Sequence, residues 1–254
     1  MQPPPPVAKS SPTVPWYEQP QGTGTSSINP ADIPADYTVD QLSPYFHKVR
    51  FGSVSAGSYY YAGQISLRAS FYGGDAVNVT GWMVKGNYGS DLVPRAVNLY
   101  DPSGLAAESD IILRSGDYVN IYNSASATGV NLRLNKCTGY LQNNNKVNPS
   151  LPQDCPAIDR SDTTGFSGMC QNYISSLYGC ALPAPNPPVP QNDYGCIAYL
   201  NTINFKGCYD RHAGDADFLS HEWRVWTNHR FLDQYHDRVL LLDRNGLLVD
   251  LYQY

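Results

Sequence analysis

The chain has 254 residues, which is enough for one large β domain or two small ones. Charged residues make up only 15% of it, and the formal net charge is −5 at pH 7. Nucleic acids and anionic membrane surfaces both attract concentrated Lys and Arg, so this charge argues against both as partners.

The first 44 residues are rich in Pro, Ser, Gly and Thr. This composition predicts a poorly ordered linker over residues 1–44, which is either a spacer between the folded part and a surface or an inert tail. The opening MQPPPP has neither the basic start nor the apolar core of a signal peptide, and no apolar run in the sequence is long enough to span a bilayer. We therefore expect that a leader or membrane anchor upstream of Gln2 has been removed.

From Tyr45 to Lys136 the sequence consists of short runs rich in β-branched and aromatic residues, separated by Gly and Asn. The run NVTGWMVKG alternates with a period of two, which is typical of a strand. Several strands at this spacing, with no long 3.6-residue period between them, predict a β-sandwich or small barrel. One loop carries Tyr59, Tyr60 and Tyr61, and these rings either form a contact surface for a protein or sugar or pack against the sheet.

All the cysteines lie in the second half of the chain. Their even number, and the absence of CxxC and of zinc-finger spacing, indicate disulfides. Disulfides in turn indicate an oxidising compartment, so we expect an exported protein. The six cysteines are Cys137, Cys155, Cys170, Cys180, Cys196 and Cys208.

Two helices are predicted in this Cys-rich part. The stretches TGFSGMCQNYISSLYGC and DYGCIAYLNTINFKGC have apolar residues at helical spacing, and the Pro-rich loop between them would make an α-helical hairpin. In an antiparallel helix pair the near ends meet. The hairpin therefore favours Cys180–Cys196 and Cys170–Cys208 bonds and leaves Cys137–Cys155 as a local bond, which is one of fifteen possible connectivities.

Strand character returns near the end of the chain. The last two strands, HDRVLLLD and LLVDLYQY, flank Asn245-Gly246, which predicts a hairpin with a type I′ turn. Both arms are apolar on both faces, so we expect them to lie inside the sandwich that begins near residue 45. The β domain would then be discontinuous, formed by residues 45–136 and 222–254 around a Cys-rich helical insertion at residues 137–221.

The sequence contains no GxSxG elbow, HExxH motif, P-loop or GxGxxG fingerprint, so we assign no catalytic, cofactor-binding or metal-binding residue. Acidic residues and histidines do cluster in YDRHAGDADFLSHEW. This cluster is either a site for Ca²⁺ or another metal near Asp215 or a solvated loop with capping aspartates, and it lacks the spacing of an EF-hand. Its members are Asp210, His212, Asp215, Asp217, His221 and Glu222.

Several motifs together resemble the bacterial lamin tail domain family. The ordered set is VNVTGWMVKGN, PRAVNLYDPSG, DIILRSGDYVNIYNS, GVNLRLNKCTGYL and DRVLLLDRNGLLVDLYQY. The stretches CQNYISSLYGC and CIAYLNTINFKGC are similar to the helical insertion of a Cys-containing exported version in candidate-phyla bacteria. The resemblance implies an immunoglobulin-like (Ig-like) β-sandwich that serves as a binding or structural module, with no established catalytic residues to transfer.

We therefore predict a mainly β, lamin-tail-like sandwich with a small disulfide-bonded helical hairpin insertion. It would be non-enzymatic, need no cofactor and bind a protein or envelope component after secretion, at the cell surface or in the periplasm. The alternatives are a secreted hydrolase that uses the cluster from Asp210 to Glu222, a subunit of an extracellular assembly, and a DNA-binding domain by analogy with eukaryotic lamin tails. The acidic charge argues against DNA binding.

Overall fold

The chain is mainly β, as the sequence predicts. The computed structural model describes residues 28–58 and 62–254, so Tyr59, Tyr60 and Tyr61 and residues 1–27 of the predicted linker lie outside the described residues. The strands are β1 Val49–Ser55, β2 Gln64–Ala69, β3 Ala76–Asn78, β4 Met83–Gly86, β5 Gly89–Leu92, β6 Ala96–Val97, β7 Glu108–Ser109, β8 Ile112–Arg114, β9 Tyr118–Tyr122, β10 Leu132–Asn135, β11 Leu219–Trp226, β12 Arg238–Leu242 and β13 Leu248–Gln253.

The helices are short and lie mostly in the Cys-rich part of the chain. Among those that the structure describes, none has the length and apolar character that crossing a membrane would need. They are α1 Gln142–Asn145, α2 Gly168–Ser175, α3 Tyr194–Leu200 and α4 Phe205–His212, with 3-10 turns at Pro30–Asp32, Val39–Gln41, Thr138–Leu141 and Arg160–Thr163.

The strands form three sheets. The largest has seven strands in the order β1-β2-β9-β11-β10-β6-β7, the second has four in the order β13-β12-β4-β5, and β3 pairs with β8. Most neighbours are antiparallel, but β11 runs parallel to β9 and β6 runs parallel to β10. β11 therefore lies between two strands, β9 and β10, that both precede it in the chain.

One hydrophobic core is shared by the two larger sheets. Leu67 and Val225 of the seven-stranded sheet belong to the same buried cluster as Val84 and Leu241 of the four-stranded sheet. Trp82, from the GW motif, is also buried in this cluster. Removing these side chains from water is the main favourable contribution to folding. It explains why the strand sequences contain apolar residues at alternate positions or in continuous runs.

The last two strands form the predicted hairpin, and β12 also pairs with β4 from the first half of the chain. The prediction of a type I′ turn was wrong. That turn needs a positive φ at both central residues, whereas within this turn only Gly246 has one, at 79°. The Asp243 carboxylate accepts the N–H groups of Asn245 (2.8 Å) and Leu247 (3.0 Å), which holds a type I turn followed by a left-handed glycine.

The structure differs from the predicted linker over residues 28–44. Two 3-10 turns form there, and Leu42 is buried against Phe46 and Leu248. Leu42 also makes a parallel bridge with Leu248, so the segment extends the edge of the four-stranded sheet at β13. The few apolar residues of this stretch are enough to hold it, because they meet the apolar outer side of the final hairpin.

The predicted second helix divides in two. α3 ends at Leu200, and α4 begins after Asn204, whose side-chain oxygen accepts the Gly207 N–H at 2.9 Å as an N-cap. A Cβ at position 207 would collide with the carbonyl oxygen of Thr202, so the close turn between the helices requires glycine.

All six cysteines are paired, but the predicted pairing Cys137–Cys155, Cys170–Cys208 and Cys180–Cys196 was wrong. The bonds are Cys137–Cys208, Cys155–Cys180 and Cys170–Cys196. Cys170 is the third residue of α2 and Cys196 the third of α3, so the first turns of the two helices meet. In the antiparallel hairpin that we predicted, the start of α3 would lie beside the end of α2.

Replacing a core leucine of the final hairpin should destabilise the whole protein. Leu241 is fully buried, so we expect Leu241→Ala to lower the free energy of unfolding by about 2–5 kcal/mol. Leu105 is 87% exposed, and Leu105→Ala is the matched control, with an expected change within about 0.5 kcal/mol. Denaturant titration followed by tryptophan fluorescence measures both, and equal effects would contradict a shared core.

Peptide mapping without reduction tests the disulfide pairing. We expect a peptide that joins Cys170 to Cys196, and recovery of a Cys180–Cys196 peptide would contradict the structure.

The Cys137–Cys208 bond closes the longest loop, with a sequence separation of 71. Replacing both its cysteines with Ala should therefore cost more, roughly 4 kcal/mol, than replacing Cys155 and Cys180, roughly 3.5 kcal/mol.

Candidate functional site

The Asp/His cluster predicted between Asp210 and Glu222 divides into separate groups. Asp215 and Asp217 both bind Lys136, at 2.9 and 2.5 Å from its Nζ, and His212 lies 3.0 Å from Asp215. Hydrogen bonds from Lys136 hold the pKa of both aspartates below the usual range. Asp210 points away from this group and pairs with Lys206, one turn earlier in α4.

His221 and Glu222 are separated because consecutive residues of a strand point to opposite faces of the sheet. On one face of β11, Nδ1 of His221 lies 2.6 Å from the buried carboxylate of Asp117. On the other face, Glu222 accepts hydrogen bonds from Asn120 (2.9 Å) and from the hydroxyl of Tyr118 (3.1 Å). His221 and Glu222 are adjacent in the sequence but therefore belong to two separate groups of contacts.

These side chains do not assemble a metal site. Among the described residues, the one group of three potential metal ligands within reach of one another is Cys170, Asp193 and Cys196. Both cysteines are joined in a disulfide, so neither offers a thiolate. Asp193 instead caps α3 by accepting the Cys196 N–H at 3.2 Å.

A buried ion pair attaches the Cys-rich part to the outer face of the large sheet. Nε of Arg224 donates to Glu222 at 2.6 Å, and both side chains are more than nine-tenths buried. The Nη1 group of Arg224 donates to the carbonyl oxygens of Pro149 (2.9 Å) and Ser150 (3.0 Å). The Arg224 guanidinium therefore binds both β11 and the segment that covers this strand. An apolar cluster surrounds the ion pair. That cluster contains Tyr122, Leu132, Leu134, Val147, Leu151 and Trp226.

Two adjoining cavities lie inside the Cys-rich part. The first has a volume of about 240 Å³ and the second about 230 Å³. They share a wall, which includes the segment Pro156–Ile158 and the side chains of Tyr140 and Ile203. We call them the apolar cavity and the polar cavity, after the remaining residues that line them.

Tyr140 is the central residue of this pair. It lies in the 3-10 turn Thr138–Leu141, directly after Cys137, and is only 6% exposed. Burial raises the pKa of its hydroxyl above the ordinary value for tyrosine. The hydroxyl has no hydrogen-bond partner among the residues that the structure describes. Tyr140 lines both cavities, and a hydroxyl without a protein partner is available there to water or to a ligand.

The apolar cavity is formed by side chains that the disulfides bring together. Ile158, Ile174 and Leu177 line it, and so does Cys155, which is bonded to Cys180. Arg160 and Ser175 add polar groups at its edge. Tyr178 also lines it and is 81% exposed, so its ring is accessible from solvent.

The polar cavity is lined by aromatic, cationic and anionic groups. The guanidinium of Arg211 lies 5.3 Å from the ring centre of Tyr199 and donates to the hydroxyl of Thr202 at 2.8 Å. The Tyr199 hydroxyl donates to Asp162 at 3.4 Å, and burial raises the pKa of the Tyr199 hydroxyl. Asp159 lies at the same cavity and caps the turn that begins at residue 160.

A larger groove of about 350 Å³ is lined by Asp110, Arg114, Arg133 and Trp223, and two of its three charged side chains, Asp110 and Arg133, already have partners. Arg133 donates to the carbonyl oxygen of Ser220 at 2.6 Å and stacks on Trp223. Asp110 binds Arg95 at 3.0 Å and accepts from Asn78 at 2.6 Å. The cavities around Tyr140 combine apolar walls with a tyrosine hydroxyl that makes no hydrogen bond to a described residue, so they are the better candidate site.

Sequence reasoning did not find these residues. Tyr140, Ile158, Ile174 and Ile203 are far apart in the chain and meet only in the folded Cys-rich part, whose disulfide pairing differs from the predicted one. No local motif marks them, because tyrosine is no more frequent in the Cys-rich part than in the rest of the chain.

Comparisons of the chain with protein-family models, with characterised proteins and with solved structures found no significant match.

Removing the buried guanidinium should destabilise the protein strongly. Arg224→Met leaves Glu222 buried without its partner, so we expect the free energy of unfolding to fall by about 3–5 kcal/mol. The double variant Glu222→Gln/Arg224→Met should recover part of the loss, since no charge remains buried. Lys206→Met removes an exposed pair and should change little. Chemical denaturation compares the variants, and an Arg224→Met protein as stable as Lys206→Met would contradict this role.

Proposed function

We propose that the protein is an exported, non-enzymatic binding module that acts at the cell surface or in the periplasm. Its frame would be a lamin-tail-like, Ig-like β-sandwich, and the Cys-rich region would be its binding part. The observation that carries the proposal is the pair of cavities around the unpartnered hydroxyl of Tyr140. A spacer has no use for paired cavities, whereas a binding module needs a concave surface with a polar group that orients a ligand.

Two features support the proposed frame. Two sheets share one apolar core, as layers of a sandwich do. Trp82 of the GW motif is buried in that core, and Gly81 before it has a φ of 79°, a conformation that favours glycine. The motifs behind the resemblance therefore include positions with a definite structural role.

The disulfides support the proposed location. All six cysteines are paired, and no free thiol is present among the described residues. Three bonds within one small region form and persist in an oxidising compartment. An envelope-associated or secreted protein meets that condition.

One contact favours the hydrolase alternative. Asp117 is buried and holds Nδ1 of His221, whose side chain is 69% exposed, so its other ring nitrogen faces solvent as in a general base. If the protein hydrolyses a glycan, peptide or nucleic acid, His221→Ala should abolish the turnover. The carboxylates of the cluster predicted from the sequence, such as Asp210, Asp215 and Glu222, are paired with Lys206, Lys136 and Arg224 respectively.

Binding to envelope material tests the proposal. We expect the protein to bind saturably to the envelope fraction of the organism that makes it. Ala157 is exposed and lines both cavities, so Ala157→Trp should block them and abolish that binding. The matched control is Ala198→Trp, at an exposed position of α3 that lines neither cavity.

Co-sedimentation with the envelope fraction measures the bound amount, and thermal unfolding verifies that both variants are folded. Absence of binding by the unmodified protein would contradict the proposed function. Equal binding by Ala157→Trp and the unmodified protein would show that the cavities are not the binding site.

A further inference from the structure

The charges around the two cavities balance. Arg160 lines the apolar cavity and Arg211 the polar one, while Asp159 and Asp162 line the polar cavity. These two guanidinium groups and two carboxylates balance one another. A site for an anion or a cation needs an excess of the opposite charge, because transferring an ion from water into a cavity is costly without it. The balance therefore favours a ligand without net charge.

The polar groups suit a ligand that both donates and accepts hydrogen bonds. Arg211 offers donors, and Asp159 and Asp162 offer acceptors. The Tyr140 hydroxyl can both donate and accept, and it makes no hydrogen bond to a described residue. A hydroxyl-rich molecule matches this mixture, whereas a hydrocarbon would leave these groups unsatisfied.

The apolar surfaces suit a ring. Ile158 and Ile203 lie in the shared wall, and the accessible ring of Tyr178 offers a flat surface at the edge of the apolar cavity. Each cavity is smaller than the roughly 300 Å³ at which pockets for drug-sized ligands begin, so each accommodates about one ring.

We infer that the paired cavities around Tyr140 bind a neutral saccharide, with one sugar ring in each cavity. Sugar rings combine an apolar face with hydroxyls that both donate and accept, which matches the two kinds of wall. This inference rests on the proposed function and adds the class of ligand to it.

Competition with soluble fractions of the envelope tests the ligand class. The envelope is partly hydrolysed, and its neutral oligosaccharides, acidic oligosaccharides and peptides are separated by anion exchange and protease treatment. We expect the neutral oligosaccharides to displace the bound protein. Competition by the acidic or peptide fraction instead, or by neither oligosaccharide fraction, would overturn the saccharide inference and leave envelope binding intact. Failure of the protein to bind the envelope at all would overturn the proposed function as well.

Tyr140→Phe tests the site. The substitution removes only the unpartnered hydroxyl, so the protein should remain folded while the Kd for the neutral oligosaccharides rises about threefold to tenfold. Tyr209→Phe is the matched control, because Tyr209 packs in the same apolar cluster but lines neither cavity. Isothermal titration calorimetry measures both variants. An unchanged Kd for Tyr140→Phe, or an equal rise for Tyr209→Phe, would overturn the assignment of the site.

Discussion

The antiparallel pairing of β10 with β11 is the constraint on which the Cys-rich region depends. Leu132 lies opposite Arg224 and Asn135 opposite Leu219, so the chain leaves the sheet and returns to it at adjacent positions. The Cys137–Cys208 bond then ties the start of the excursion to α4 near its end. Because both ends are fixed, the other two disulfides join segments within a loop that is already closed.

Attachment to the sheet uses a different kind of interaction. The pair Glu222–Arg224 is desolvated, and such a pair is favourable only when its remaining hydrogen bonds are satisfied. Asn120, Tyr118 and two backbone carbonyls provide them. The network therefore selects one position for the covering segment, while the apolar residues around it supply most of the attraction.

The sequence was informative where the structure is local. The period of two predicted strands such as β4, and Asn245-Gly246 predicted the final hairpin, although the Asp243 side chain selected another turn. The apolar stripe across Asn204 suggested one helix, whereas the Asn204 side chain caps a second helix there. For the hairpin and the helical stretch, the local pattern predicted the right type of element. A side-chain hydrogen bond then determined the type of turn and the point at which the helix divides.

The sequence was uninformative where distant segments meet. His221 and Glu222 looked like one cluster because they are adjacent in the chain, whereas a strand sends them to opposite faces. The disulfide pairing depended on how α2 and α3 cross, and no pattern in either helix encodes that. The candidate site around Tyr140 depends on the same packing, so it could not be found before the pairing was known.

The position of β11 between β9 and β10 has a consequence for the order of assembly. A chain that emerges from its amino terminus first presents β9 and β10 while the strand that separates them is still missing. The seven-stranded sheet stays divided until residues 219–226 arrive, and its contacts span long stretches of sequence, which slows folding. Vectorial synthesis or translocation therefore delivers an incomplete β-sheet until almost the whole chain is available, and premature closure of β9 onto β10 is the error that the topology must avoid.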